Sequence, residues 1–89
     1  MYFDLIVWDD EDDPDGNHRH IVATGLVTVQ EVEDIIAAHQ GPWDASRSSG
    51  LPFIIGTAST GQRLAVVFAI VPDPDYVLVY PVTAYPVED

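Results

Sequence analysis

The chain has 89 residues with three arginines, no lysine and fifteen carboxylates, which gives a formal charge of −12. Electrostatic binding to nucleic acids and to anionic membranes depends on lysine and arginine, so this composition argues against both as direct partners. The length fits a single domain over residues 1–89. The sequence has no cysteine, which excludes disulfides, zinc–thiolate sites and thiol nucleophiles.

The apolar segments are short. The longest, residues 64–72, has the length of a strand, whereas a membrane-spanning helix needs ~18–20 apolar residues. Residues 1–8 are apolar but lack the basic region and the cleavage site of a signal peptide. We therefore expect a soluble, cytoplasmic protein without a membrane partner.

The chain begins with a predicted strand over residues 2–8, which mixes β-branched and aromatic side chains. Six carboxylates follow within residues 9–15, and we interpret this acidic run as a loop. Asn17 is predicted to cap a short helix over residues 18–24, and Gly25 to end it in the left-handed conformation.

The clearest helix signal lies over residues 28–39. Thr28 and Glu31 have the spacing of a capping box, in which each side chain accepts a hydrogen bond from the other residue's backbone N–H. The apolar residues that follow recur at helical intervals, so the pattern predicts an amphipathic helix with Glu31 on its outward face. Leu26 is expected to enter the core just before this helix.

The second half of the chain is predicted to be β. Residues 43–48 form a short edge strand or an extended loop, residues 51–58 a strand and residues 59–61 a hairpin turn. Residues 63–71 are apolar without alternation, which indicates a strand covered on both faces. A last strand is predicted over residues 76–82, with Pro81 ending its pairing.

This order predicts an α+β fold: a two-layer β-α-α-β-β-β sandwich with the helices on one face of an antiparallel sheet. The contacts expected between the layers are those of Val29, Val32, Ile35 and Ile36 with Phe53, Ile55, Val66 and Phe68.

Candidate chemistry is sparse. His18, Arg19 and His20 form a cluster of cationic and proton-transferring groups, although on a helix the two histidines point about 200° apart. Asp13 and Asp15 are weak metal candidates: they match a calcium loop, but Val22 stands where that loop needs a glutamate. The sequence therefore predicts neither a dedicated metal site nor a cofactor.

Several segments in order resemble the BrnT family of small bacterial toxins, within the RelE/ParE superfamily. They are Trp8-Asp9, residues 17–20, residues 25–28 leading into a helix with Glu31, the serine-rich residues 46–50, Gly56, residues 61–68 and a last strand with Ala84. The resemblance implies a RelE-like fold, a metal-independent ribonuclease activity that uses basic side chains on the sheet, and an antitoxin that covers them.

The chain departs from that family where phosphate would be held. Val82 and Thr83 occupy the place of an arginine pair in the last strand, and Leu51-Pro52 the place of another arginine. A metal-free ribonuclease must stabilise developing negative charge with fixed positive charge, so these losses predict weakened or lost catalysis. Our main interpretation is a toxin-fold protein of a toxin–antitoxin-type locus that acts through contact with a basic, antitoxin-like protein.

Two alternatives remain. The first is an active metal-independent endoribonuclease in which His20 is the general base and Arg47 and Arg63 bind phosphate. The second is a cation-responsive or homodimeric binding module, since an unpaired edge strand favours dimerisation.

Overall fold

A computed structural model describes residues 4–38, 44–45 and 50–87, with the backbone alone described at 44–45. The fold is α+β. The elements in chain order are β1 (Leu5–Ile6), α1 (Asn17–Val22), α2 (Val29–Ala38), β2 (Asp44–Ala45), β3 (Pro52–Thr57), β4 (Arg63–Val71) and β5 (Leu78–Pro86).

The five strands found in the described residues form one sheet in the order β1-β5-β4-β3-β2. The pairs β2–β3, β3–β4 and β4–β5 are antiparallel, whereas β1 runs parallel to β5. The sheet is therefore mixed, and the prediction of an antiparallel sheet was wrong at this pair. Two helices separate β1 from the rest of the sheet, and such a long connection allows the chain to return in the same direction.

Helix α2 begins as predicted. The Thr28 N–H donates to Glu31 Oε1 at 3.1 Å, and the Glu31 N–H donates to Thr28 Oγ1 at 3.2 Å, which completes the capping box. Glu31 does not face outward, however: it is only 6% exposed, and its Oε2 accepts the Thr60 hydroxyl at 2.6 Å. His39, the predicted last residue, lies outside the described residues.

Helix α1 differs from its prediction at the start. Asn17 is its first residue and Gly16 is the N-cap, so the prediction of Asn17 as the cap was wrong. Gly25 has a φ of 74°, which confirms the predicted left-handed residue after the helix.

One apolar core joins the two helices to the sheet. Val32, Ile35 and Ile36 of α2 are buried with Val66 and Phe68, as predicted. Buried residues in the core are Ile21, Val27, Val32, Ile35, Ile36, Ile54, Ala58, Leu64, Val66, Phe68, Val79 and Ala84.

Four predicted core residues lie outside the buried core instead: Leu26, Val29, Phe53 and Ile55. Leu26 is 60% exposed, and its neighbour Val27 is buried in its place. Ile55 is 46% exposed and Phe53 lies on the same face, because Ile54 is the residue of β3 that enters the core. The cause is that residues 53–55 are all apolar, so alternation does not identify the buried face.

The last strand is longer than predicted. It continues through Pro81 to Pro86, with an irregularity where Phe68 pairs with Pro81 and Val67 with Thr83, which leaves Val82 as an extra residue. The missing N–H of Pro81 costs no ladder bond, because it points to the side of β5 where β1 has already ended. Strand β4 is confirmed over its predicted length.

Candidate functional site

A polar network occupies the point where β1 ends beside β5 and α1 begins. Asn17 is at its centre and is 3% exposed. Its Nδ2 donates to the carbonyl of Val7 at 3.0 Å and to the carbonyl of Pro81 at 2.8 Å. The side-chain amide thus bridges two backbone positions that do not pair with each other as strand residues. It also satisfies carbonyls that would be costly to leave unpaired.

Asp9 completes the contact with Asn17. The Asp9 N–H donates to Asn17 Oδ1 at 2.8 Å, and the Asn17 N–H donates to Asp9 Oδ2 at 3.0 Å. The carboxylate therefore serves the first turn of α1, where the N-cap Gly16 offers no side chain. Gly16 is required here because a Cβ at its position would lie 2.7 Å from the Cβ of Asp9.

Tyr80 binds the same carboxylate from β5, since its hydroxyl donates to Asp9 Oδ2. This hydrogen bond, with that from the Asn17 N–H, lowers the pKa of Asp9 below its usual value. The same bond, with partial burial, raises the pKa of Tyr80. Both shifts have the same main cause, which is that this hydrogen bond stabilises an ionised Asp9 beside a neutral Tyr80.

An open cleft of about 620 Å³ lies beside this network. Its lining residues are Pro14, Asp15, Gly16, Asn17, Arg19, His20, Ala23, Tyr80 and Val82. Arg19 and His20 bring a guanidinium and an imidazole to its wall from exposed positions on α1. The cleft therefore combines a group able to transfer protons with one fixed positive charge.

The predicted catalytic residues are not all together. His20 lines the cleft with Tyr80, which pairs with Ala69 on β4. Arg63 is the first residue of β4, six residues from Ala69, a separation of roughly 20 Å along a strand. Arg47 lies outside the described residues.

The two histidines of α1 have different surroundings, as their helical spacing predicts. The ring of His18 packs edge-on against Trp8, with 5.9 Å between the ring centres. Its Nδ1 is buried and has no hydrogen-bond partner among the described residues. Trp8 in turn donates from Nε1 to Glu33 Oε2 at 3.1 Å, so it links the segment after β1 to both α1 and α2. His18 is a packing residue in this arrangement.

The acidic loop before α1 contains short-range hydrogen bonds to backbone and side-chain acceptors of its own residues. Residues 10–15 are exposed. The Asp15 N–H donates to Asp13 Oδ1 at 2.9 Å, and the Asp13 N–H donates to the carbonyl of Asp10 at 3.0 Å. Across residues 4–38 and 50–87, no group of three or more histidine or acidic side chains could hold a metal ion, and this includes Asp13 and Asp15.

No local pattern in the sequence indicates the network of Asp9, Asn17 and Tyr80. Asp9 belongs to an acidic run, Asn17 to an expected helix cap and Tyr80 to an apolar strand. They meet because β5 pairs with β1 across more than 70 residues, as in the contact of Leu5 with Leu78.

Comparisons with protein families, with curated proteins and with solved structures each find no match. Neither helix in the described part of the chain is long and apolar enough to cross a membrane.

Proposed function

We propose that this protein has a RelE-like fold of the BrnT type and is encoded by a toxin–antitoxin-type locus. We further propose that it is cytoplasmic and acts by contact with a basic partner protein. In this proposal its ribonuclease activity is weakened or lost. The observation that carries the proposal is the separation of His20 on α1 from Arg63 at the start of β4, which keeps the predicted base away from a predicted phosphate-binding cation.

The physical argument concerns charge at the scissile phosphate. Cleavage of RNA without a metal requires several fixed donors around the developing negative charge, and each is worth about 10²- to 10³-fold in rate by analogy with oxyanion donors. Next to His20, the described residues offer Arg19 as a fixed cation, while Asp15 lines the same cleft. A formal charge of −12 opposes the approach of RNA as a whole.

The same charge favours a basic protein. Residues 10–15 form an exposed acidic loop next to the cleft. Complementary charge accelerates association and makes it sensitive to salt. An antitoxin-like protein with an excess of lysine and arginine therefore fits this surface better than a nucleic acid does.

The first test is an RNA cleavage assay on the purified protein, with His20→Ala and Arg63→Ala as the variants. We expect no cleavage above the background of the two variants. If the unmodified protein cleaves RNA and either substitution abolishes that cleavage, the proposed loss of activity is overturned. The endoribonuclease alternative is then supported.

The second test addresses the partner. We expect the product of the adjacent gene to be a small basic protein that forms a complex with this chain, and we expect the complex to weaken as salt increases. The double variant Asp12→Asn/Asp13→Asn should slow association, and Gln30→Ala on the exposed side of α2 serves as a control. The partner proposal is rejected if the adjacent product does not bind.

A further inference from the structure

We infer that the groove between β1 and α2 binds an extended, basic segment of a partner protein, which adds as a strand to the outer edge of β1. This inference rests on the proposed function, because it gives the basic partner a docking site. The site is distinct from the acidic loop and from the cleft beside α1.

The edge of β1 has the geometry for strand addition. The N–H groups of Leu5 and Val7 donate to β5 carbonyls, at 3.4 Å to Val77 and at 2.8 Å to Val79. Successive residues of a strand point their backbone polar groups to opposite sides. The N–H and C=O of Ile6 therefore point away from β5, and among the described residues β1 is the outermost strand on that side of the sheet. Such an edge is a template for another chain.

The groove beside this edge has an apolar floor. Its volume is about 260 Å³, and its lining residues are Asp4, Leu5, Ile6, Glu33, Ile36 and Ala37. The three residues from α2 share one face of the helix, at positions i, i+3 and i+4. Ile36 is buried at the bottom and Leu5 is 58% exposed at the side. Apolar side chains of an added strand would cover Leu5.

Two carboxylates give the groove its charge. Asp4 Oδ2 accepts the Val77 N–H at 2.7 Å, and Glu33 Oε2 accepts the Trp8 Nε1–H at 3.1 Å. These bonds fix both side chains but use one oxygen of each. The other oxygens have no hydrogen bond within the described part of the chain, and none of the lining residues is basic. The groove thus presents fixed acceptors to a cation.

These features select a basic occupant. Arginine and lysine combine an apolar stem with a charged end, so a side chain that enters the groove can pack on its apolar floor and reach a carboxylate. A second copy of this chain is a poor occupant, because each copy carries a formal charge of −12 and three arginines. Since side chains alternate along a strand, an occupant that alternates basic and apolar residues matches the groove best.

The test uses a short synthetic peptide that alternates arginine and valine. A peptide of the same sequence with N-methyl groups on alternate residues retains the charge but cannot pair with a strand edge. Binding is measured by NMR titration of the full chain. We expect the largest shift at the Ile6 amide with the first peptide, and weak binding without that shift with the second.

Substitutions distinguish binding of the peptide in the groove from its general attraction to an acidic protein. Asp4→Asn and Glu33→Gln keep the acceptor oxygens used by Val77 and Trp8 but remove one charge each, and we expect each to weaken binding roughly twofold to fivefold. Asp12→Asn removes the same charge from the acidic loop and should change binding less.

The inference is overturned if the N-methylated peptide binds equally well, or if Asp12→Asn has the larger effect. Either result would leave the proposed function standing, because that is judged on RNA cleavage and on the adjacent gene product. Conversely, RNA cleavage that His20→Ala abolishes would overturn the proposed loss of activity, but it would leave the inferred docking site unaffected.

Discussion

At the scale of single residues, the most connected group is the Asp9 carboxylate. It accepts hydrogen bonds from the Tyr80 hydroxyl and from the Asn17 N–H, and so joins β5 to the start of α1. Asn17 extends the connection to Val7 and Pro81. This group fixes the wall of the cleft that carries His20.

Removing one hydroxyl tests the network. In Tyr80→Phe we expect the pKa of Asp9 to rise towards its ordinary value, because the main hydrogen bond that lowers it is lost. The measurement is an NMR titration of the Asp9 carboxyl carbon. Tyr85→Phe is the matched control, since Tyr85 is an exposed residue of the same strand. An unchanged Asp9 titration would show that Tyr80 is not its partner in solution.

The sign of the linked effect on stability follows from the same shift. The folded state lowers the pKa of Asp9 from 3.8. The contribution of Asp9 to the free energy of unfolding is therefore present above about that pH, and it is lost as the pH falls through the pKa of the folded state. Tyr80 has its pKa raised from 10.0, so its contribution is lost as the pH rises above that value. Tyr80→Phe should therefore flatten the pH dependence of stability at both ends.

At the scale of elements, α2 and β3 approach closely at Gly56. A Cβ built on Gly56 would lie 3.0 Å from Cγ2 of Ile35, nearer than carbon atoms normally pack. Glycine is needed at this position for space, and the absence of a side chain lets the helix rest on the strand. The contact also fixes which face of β3 receives the helix.

Gly56→Ala should therefore destabilise the fold, by roughly 1–3 kcal/mol, as overpacked cores do. Adding Ile35→Leu should recover part of the loss, because leucine keeps the volume but has no Cγ2 methyl. Chemical denaturation of the two variants gives the comparison, with Thr57→Ala on the neighbouring exposed position as the control. A stable single variant would mean that the helix can move away from β3.

Local sequence patterns predicted the helices and strands better than they predicted how those elements pair and pack. The capping box at Thr28 and the continuous apolar run of β4 each depend on neighbouring residues, and both predictions were confirmed. The face of β3, the parallel direction of β1 and the continuation of β5 past Pro81 depend on residues distant in sequence. The candidate network belongs to this second class: Asn17 is predicted as a helix cap, and the predicted strand through Tyr80 carries no sign of its contact with Asp9.

At the scale of the whole molecule, the dominant property is a formal charge of −12 on 89 residues. Self-repulsion among these charges opposes the compact state. The acidic loop has short-range hydrogen bonds within itself, and residues 10–15 are exposed. The fold therefore carries a repulsive energy that ions in solution can reduce.

Thermal unfolding at increasing sodium chloride measures this repulsion. We expect stability to rise by on the order of 1 kcal/mol between low salt and physiological salt or above, or about 4–8 °C in Tm for a domain of this size. Asp12→Asn/Asp13→Asn should raise the Tm at low salt and reduce the response to salt. A Tm that is independent of salt would show that the carboxylates are too far apart or too well hydrated to repel each other.

The pairing of β1 with β5 also sets an order of assembly during synthesis. Leu5 and Ile6 leave the ribosome early, but their partners Leu78 and Val79 follow more than 70 residues later. The helices and the β3–β4 hairpin are synthesised before β5, so β1 cannot pair within the sheet until β5 is made. Until then, the early strand is a short apolar segment without its sheet, and its burial waits for the final strand.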